Sequence, residues 1–330
     1  MGTDGLLHRR EVNCGVPQGS VLGPLLWNIA YDAVLRISLP VDVNIVCYAD
    51  DTLVLADGEN FEETNRLAAL GVERVVEKIQ ELGLRVAPQK TEALWFHKFP
   101  RTREPPSSSI RVGEVDVRVG PYLKYLGLTL DSRWDFGEHF RRVVPRIKKV
   151  AGALHRLLPN LGGPEEGVRR LYAGVVRSMA LYGAPVWSER LTGVRRHRTM
   201  FNSLQRTIAI RIARGYRTIS FEAATLLARF PPLDILSEMD ARVYDQLHGL
   251  EEEAVPANTV DIRRREHQHA LRQWRQRLQE PRYTRQRIVG AILPVFEAWR
   301  APVRSVGDPG ALCHAPRKAT GGVLVSGNLT

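Results

Sequence analysis

Tyr48-Ala49-Asp50-Asp51 sits between two short apolar runs, Val43-Asn44-Ile45-Val46-Cys47 before it and Thr52-Leu53-Val54-Leu55-Ala56 after it. Both runs are rich in β-branched residues and too short for helices, so the spacing predicts a hairpin. Such a hairpin carries Asp50 and Asp51 at its tip. Adjacent carboxylates repel, and a site that holds them together usually offsets the repulsion with a cation. The pattern suits Mg²⁺ and a phosphorylated substrate. An ordinary acidic turn also fits these four residues, because Asp is a common turn residue.

Upstream, Gly15-Val16-Pro17-Gln18-Gly19-Ser20-Val21-Leu22-Gly23-Pro24 interleaves three glycines and two prolines with a polar amide. Gly and Pro fix a loop that a ligand or another backbone can approach closely. Gly23-Pro24 then opens an apolar stretch to Leu39, with helical spacing at Leu25, Leu26, Ile29, Ala30, Ala33 and Val34. This loop, helix and acidic hairpin together resemble the reverse transcriptases, and most closely those of non-LTR (LINE-type) retrotransposons. Two later segments follow in that family's order. Leu82-Gly83-Leu84-Arg85-Val86-Ala87-Pro88-Gln89-Lys90-Thr91-Glu92 resembles the next palm motif, and Tyr122 to Asp131 resembles the hairpin that joins palm to thumb.

The resemblance implies an RNA-directed DNA polymerase with an RNA template, a DNA primer and deoxynucleoside triphosphates as its partners. It assigns Asp50 and Asp51 to a site for Mg²⁺ (or Mn²⁺). It sets Tyr48 beside the primer terminus and Pro17, Gln18 and Gly19 against template and nucleotide. Lys90 is placed near the triphosphate as a charge stabiliser or general acid. It also implies a fragment that starts in mid-palm, since the family's further metal-bridging aspartate lies on a strand preceding the Gly-x-Pro-Gln-Gly segment. The alternative is a catalytically inactive, nucleic-acid-binding remnant of such an element.

Charge divides the chain. Residues 1–139 hold fifteen Lys and Arg against twenty Asp and Glu, a net −5; residues 140–330 hold thirty-two against sixteen, a net +16. Nearly all of the later cations are arginines, which suit bidentate phosphate contacts and stacking on bases. Arg141, Arg142, Arg195, Arg196, Arg198, Arg263, Arg264 and Arg265 are the expected backbone contacts, although solvated helix faces would look the same. Three widely spaced cysteines do not make a disulfide framework, so no disulfide-linked partner is expected. No long apolar run suggests a membrane span, and an intracellular location follows, nuclear when part of an active element.

The expected fold is α+β: a partial palm, an antiparallel sheet with helices, over 1–135, then a helical thumb over 136–215. A helical extension over 216–300 and an irregular tail over 301–330 complete the division. Expected helices include Phe61 to Leu82, His139 to Leu158, Glu165 to Leu181, Thr192 to Arg214 and Ser220 to Arg229, the last with Ser220 as N-cap. Leu233 to Glu252 and Asp261 to Gln279 follow. Cys313-His314 stands alone where a tetrahedral metal site needs four ligands, and His267 and His269 diverge around a helix.

Overall fold

A computed structural model describes residues 20–98, 105–156, 166–249, 255–300 and 322–328. The chain forms two compact units, residues 1–134 with 319–330, and residues 135–318.

The first unit is a mixed sheet with two helices. Gly23–Leu35 forms α1, opened by Pro24 in its first turn, where a missing N–H costs nothing. It stops short of the expected Leu39, because Pro40 disfavours helical backbone just before it. The helix buries Tyr31 and Val34, while Leu25, Leu26 and Ile29 remain exposed. Val43–Tyr48 (β1) and Asp51–Ala56 (β2) then pair antiparallel, with Tyr48 opposite Asp51.

The next helix, α2 (Phe61–Glu81), starts at Asn60, whose Oδ1 accepts from Glu63 N–H at 3.0 Å. It buries Leu67, Ala68, Val72, Val75, Val76 and Ile79 on one face. Gly71 lies so close to β1 that a Cβ there would meet Val43 Cγ1 at 2.7 Å. Any larger residue would push the helix off the sheet.

Glu92–Phe96 (β3), Ser109–Val112 (β4), Val115–Gly120 (β5), Tyr122–Tyr125 (β6) and Leu128–Asp131 (β7) follow. Strand order in the larger sheet is β1-β2-β8-β3-β5-β4, where β8 is Gly322–Asn328. Residues assigned to the tail thus supply an interior strand, antiparallel to both β2 and β3. Without it the N–H and C=O groups along two strand edges would face an empty slot. The sheet is not wholly antiparallel as expected: β3 and β5 run parallel through Ala93↔Val119 and Leu94↔Gly120. The reason is the β4–β5 hairpin, whose return strand is the one laid against β3. β6 and β7 form a separate hairpin turned at Leu126 and Gly127, both with positive φ.

The second unit is helical: α3 (Gly137–Arg156), α4 (Glu166–Ala180), α5 (Ala184–Gly193), α6 (Arg195–Ile212), α7 (Phe221–Leu227), α8 (Leu233–His248) and α9 (Val255–Leu278). Short helices α10 (Pro281–Thr284), α11 (Arg287–Ile292) and α12 (Phe296–Arg300) complete it. The helix expected from Thr192 to Arg214 is α6, starting at Arg195, while α5 before it was not expected; a break at Val194, extended at φ −111° and ψ 113°, separates the two. The break lets Trp187 of α5 and Phe201 of α6 meet Phe140 of α3, with ring centroids 5.3 Å from Phe140 in each case. Apolar burial outweighs the lost helical turn. Ser220 caps α7 as its sequence suggests, accepting from Ala223 N–H at 3.1 Å. Buried Gln205 donates to the Phe230 and Pro231 carbonyls and accepts from Leu233 N–H, which closes the α7–α8 junction. Cys313 and His314 lie outside the described residues.

Candidate active site

The β1–β2 hairpin turns through Ala49 and Asp50, and Asp51 is the first residue of β2. Ala49 has φ 53°, a left-handed conformation that an L side chain resists. The strain is met from α1. Trp27 Nε1–H donates to Ala49 O at 3.1 Å, and Trp27 stacks on Tyr31 with centroids 5.2 Å apart and planes 13° apart. The Tyr31 hydroxyl, in turn, hydrogen-bonds Thr52 Oγ1, one residue beyond Asp51. Two aromatic rings on successive turns of α1 therefore hold both sides of the acidic turn.

Electrostatics at the turn follow from this packing. Partial burial, and secondarily the Asp50 charge, raise the Asp51 pKa above its usual value. Burial pushes Tyr31 up to about 12, with Cys47 and Asp50 adding smaller raising effects and the Thr52 hydrogen bond opposing. Tyr125 of β6 is also pushed up to about 12, by burial first and then by the charge of Asp51 and Cys47. Both phenols remain neutral near the carboxylates, so neither adds a competing negative charge. An oxygen pair of this kind can take a divalent cation, which removes the repulsion that Asp51 carries. Among the described residues no group of three or more His, Cys, Asp or Glu is placed to hold a metal.

Tyr48 extends from the end of β1 and is 59% exposed, beside the turn and free to meet a ligand. Lys90 ends a short 3₁₀ turn, Pro88–Lys90, directly before β3; it is exposed and makes no ion pair with Asp50 or Asp51. Pro17, Gln18 and Gly19 lie outside the described residues. Sequence reasoning singled out neither Trp27 nor Tyr31. Their signal was available as an aromatic pair at i and i+4 in the helix that follows the Gly-Pro loop.

The pattern of the family described as reverse transcriptase (RNA-dependent DNA polymerase) matches residues 2–130. Over those residues the chain is similar to reverse transcriptases, and the relatives it resembles are proteins of transposable elements. Relatives include the Retrovirus-related Pol polyprotein from type-1 retrotransposable element R1 of Nasonia vitripennis, 28% identical over 67% of this chain and 66% of that protein. The R1 Pol polyprotein of Bradysia coprophila is 26% identical over 71% of this chain and 23% of its own length. The RNA-directed DNA polymerase from mobile element jockey of Drosophila melanogaster is 26% identical over 54% of this chain and 20% of its own length. The chain thus spans less than two thirds of each of these relatives, and less than a quarter of two of them. No solved structure matches it.

Beyond residue 130, the arginines expected to contact the nucleic-acid backbone fall into two groups. Arg141 and Arg142 both pair with Glu138, at 3.2 and 2.7 Å, and Arg264 pairs with Asp261 at 3.3 Å. These charges are partly answered within the protein. Arg195, Arg196 and Arg198 are exposed on the first turn of α6, which has no acidic residue, and Arg263 and Arg265 are exposed on α9. Cations at a helix N-terminus oppose its dipole and raise the helix free energy by a few tenths of a kcal/mol to about 1 kcal/mol each. An anion bound there would relieve both. Among the described residues no helix is long and apolar enough to cross a membrane.

Proposed function

We propose that the first unit supplies the metal-binding turn of an RNA-directed DNA polymerase, and that the second supplies arginines for the nucleic-acid backbone. The observation that carries this reading is the braced turn itself. Asp50 and Asp51 sit at a strained hairpin tip secured by Trp27 and Tyr31, within a region whose sequence pattern is that of reverse transcriptases. A turn that was merely acidic would not need two aromatic anchors.

Asp50 and Asp51 would hold Mg²⁺ (or Mn²⁺), with most remaining ligands coming from water and a triphosphate. The ion, when bound, would neutralise charge on the transferring phosphoryl group. In the reaction a primer 3′-hydroxyl attacks the α-phosphate of a deoxynucleoside triphosphate, and pyrophosphate leaves. Tyr48, exposed beside the turn, would pack against the primer terminus. Pro17, Gln18 and Gly19 would face template and nucleotide. Lys90 would stabilise charge on, or donate a proton to, the leaving pyrophosphate. Template sequence would be read by base pairing, so the arginines at 141–142, 195–198 and 263–265 need only follow backbone. As part of an active element the protein would work in the nucleus.

Primer extension on poly-rA with an oligo-dT primer, in Mg²⁺ and in Mn²⁺, tests the reading. Extension that disappears in Asp50→Asn supports it. Extension unchanged by Asp50→Asn overturns the assignment of the turn. Salt-sensitive binding of primer–template without extension in either metal ion, and still without extension in a longer protein that supplies the preceding palm strand and its aspartate, favours the alternative, a nucleic-acid-binding remnant.

A further inference from the structure

The loop between α6 and α7, residues 213–220, is short, basic and tightly built. Arg206 of α6 reaches under it, donating from Nε to Ile219 O at 2.9 Å and from Nη2 to Ile219 O at 2.6 Å and to Arg217 O. Gly215 N–H donates to Ile210 O at 2.9 Å, and Ile219 N–H to Tyr216 O at 3.3 Å. Gly215 lies so close to Ile219 that a Cβ would meet its Cδ1 at 2.7 Å, while Arg214 takes a left-handed φ of 52°. Five hydrogen bonds and a close side-chain contact fix the backbone of this segment.

What this fixed loop displays is Tyr216. The residue is 84% exposed, more than any other aromatic among the exposed large hydrophobic residues. Arg214, Arg217 and Thr218, also exposed, surround it in sequence, and no acidic residue lies between Arg211 and Ser220. Arg169 of α4 donates to Arg211 O at 2.8 Å, so a further guanidinium stands at the foot of the loop. Burial, with the nearby charges of Arg214 and Arg211, lowers the Arg169 pKa, as expected where like charges gather. An aromatic face held out on a rigid support among guanidinium groups has low entropy to lose on binding a flat partner. Stacking on such a face needs a base whose own faces are free.

We infer that Tyr216 is a stacking platform for an unpaired base, with Arg214 and Arg217 contacting the flanking phosphates, so that this loop binds single-stranded nucleic acid. The inference rests on the proposed nucleic-acid role of the second unit and deepens it. Charge alone favours duplex and single strand alike, whereas an exposed tyrosine ring distinguishes them. A duplex keeps its bases stacked on one another and offers the ring nothing.

The test is fluorescence anisotropy with the full chain, using labelled oligo-U RNA, oligo-dT and a blunt duplex across a range of salt. Tyr216→Ala is expected to weaken single-strand binding roughly five- to hundred-fold. Duplex affinity and the slope of log affinity against log salt should stay unchanged, since no cation is removed. Tyr216→Phe, which keeps the ring, should restore binding, and Arg217→Gln should reduce the single-strand slope by about 0.7. Circular dichroism confirms that each variant is folded.

Equal losses on duplex and single strand, or a Phe variant as weak as the Ala variant, overturn stacking. Salt-sensitive binding that Tyr216→Ala leaves intact overturns this inference and spares the broader proposal. Failure of the unaltered chain to bind any nucleic acid at low salt overturns both.

Discussion

Trp27 Nε1 donates to the carbonyl of Ala49 at 3.1 Å, across 22 residues of sequence, and thereby fastens a helix to the turn that carries Asp50. The bond falls on the residue with φ 53° that would otherwise relax. Trp27→Phe keeps the stack on Tyr31 but removes the donor. It should lower stability by about 1 kcal/mol. It should also weaken Mn²⁺ binding, followed by electron paramagnetic resonance of the free ion. Mn²⁺ affinity lost in Asp50→Asn but unaltered in Trp27→Phe would show that the turn keeps its shape without the indole.

Ala49→Gly probes the same strain from the other side. Glycine accepts a positive φ at little steric cost, so the folded hairpin should gain, offset by the larger entropy of the unfolded chain. A net stabilisation of up to about 1 kcal/mol is expected in urea denaturation. A destabilised variant would mean that the Ala49 methyl packs usefully.

Removing the Asp50 charge should lower the Asp51 pKa, because Asp50 is one of the two causes that raise it. Burial, the larger cause, persists, so the value should remain above that of an ordinary carboxylate. Carboxyl-carbon NMR titration of Asp51 in Asp50→Asn measures this. In the unaltered chain, protons compete with a divalent cation for Asp51. Metal affinity should therefore start to fall, as pH decreases, at a pH above the usual Asp range.

His139 gives the second unit an acid sensitivity. It is buried among Phe136, Phe140 and Trp187, and burial lowers its pKa to about 4. Below an unfolded value near 6.5 the unfolded chain takes up a proton that the folded chain refuses. Stability is full above about pH 6.5 and should decline by about 3 kcal/mol on descending to pH 4. His139→Phe should flatten that part of the pH–stability curve in chemical denaturation, even if packing shifts its absolute level.

Asp234, 3% exposed in the first turn of α8, pairs with Arg277 of α9 through bonds of 2.8 and 3.1 Å. Arg277→Ala leaves that carboxylate buried without its cation. Breaking such a pair from one side typically costs about 3–5 kcal/mol, here toward the low end because Arg277 is partly exposed. A thermal shift close to that of an exposed Arg263→Ala control would show that water replaces the guanidinium.

The sequence by itself determined the elements whose cause is local. The hairpin at 43–56 was legible from two β-branched runs around a short polar turn, and α2 from its one-sided apolar period. Ser220 was readable as a cap because its partner lies only three residues on. The likeness to reverse transcriptases was legible too, since the ordered motifs that begin at Gly15 fall almost wholly within residues 2–130, which the reverse transcriptase pattern matches.

Tertiary structure alone decided how those elements are secured. Which side of α1 is buried depended on Trp27 and Tyr31 finding Ala49 and Thr52, more than 20 residues away, rather than on the leucines that dominate its composition. The break at Val194 followed from one aromatic cluster drawing on α3, α5 and α6. The interior strand Gly322–Asn328 came from the far end of the chain, because a sheet with two open edges needs a partner and sequence distance does not limit hydrogen bonding. Local pattern encodes which segments are helix or strand. Burial and pairing between distant segments choose the face, the break and the neighbour, and a linear reading holds no term for them.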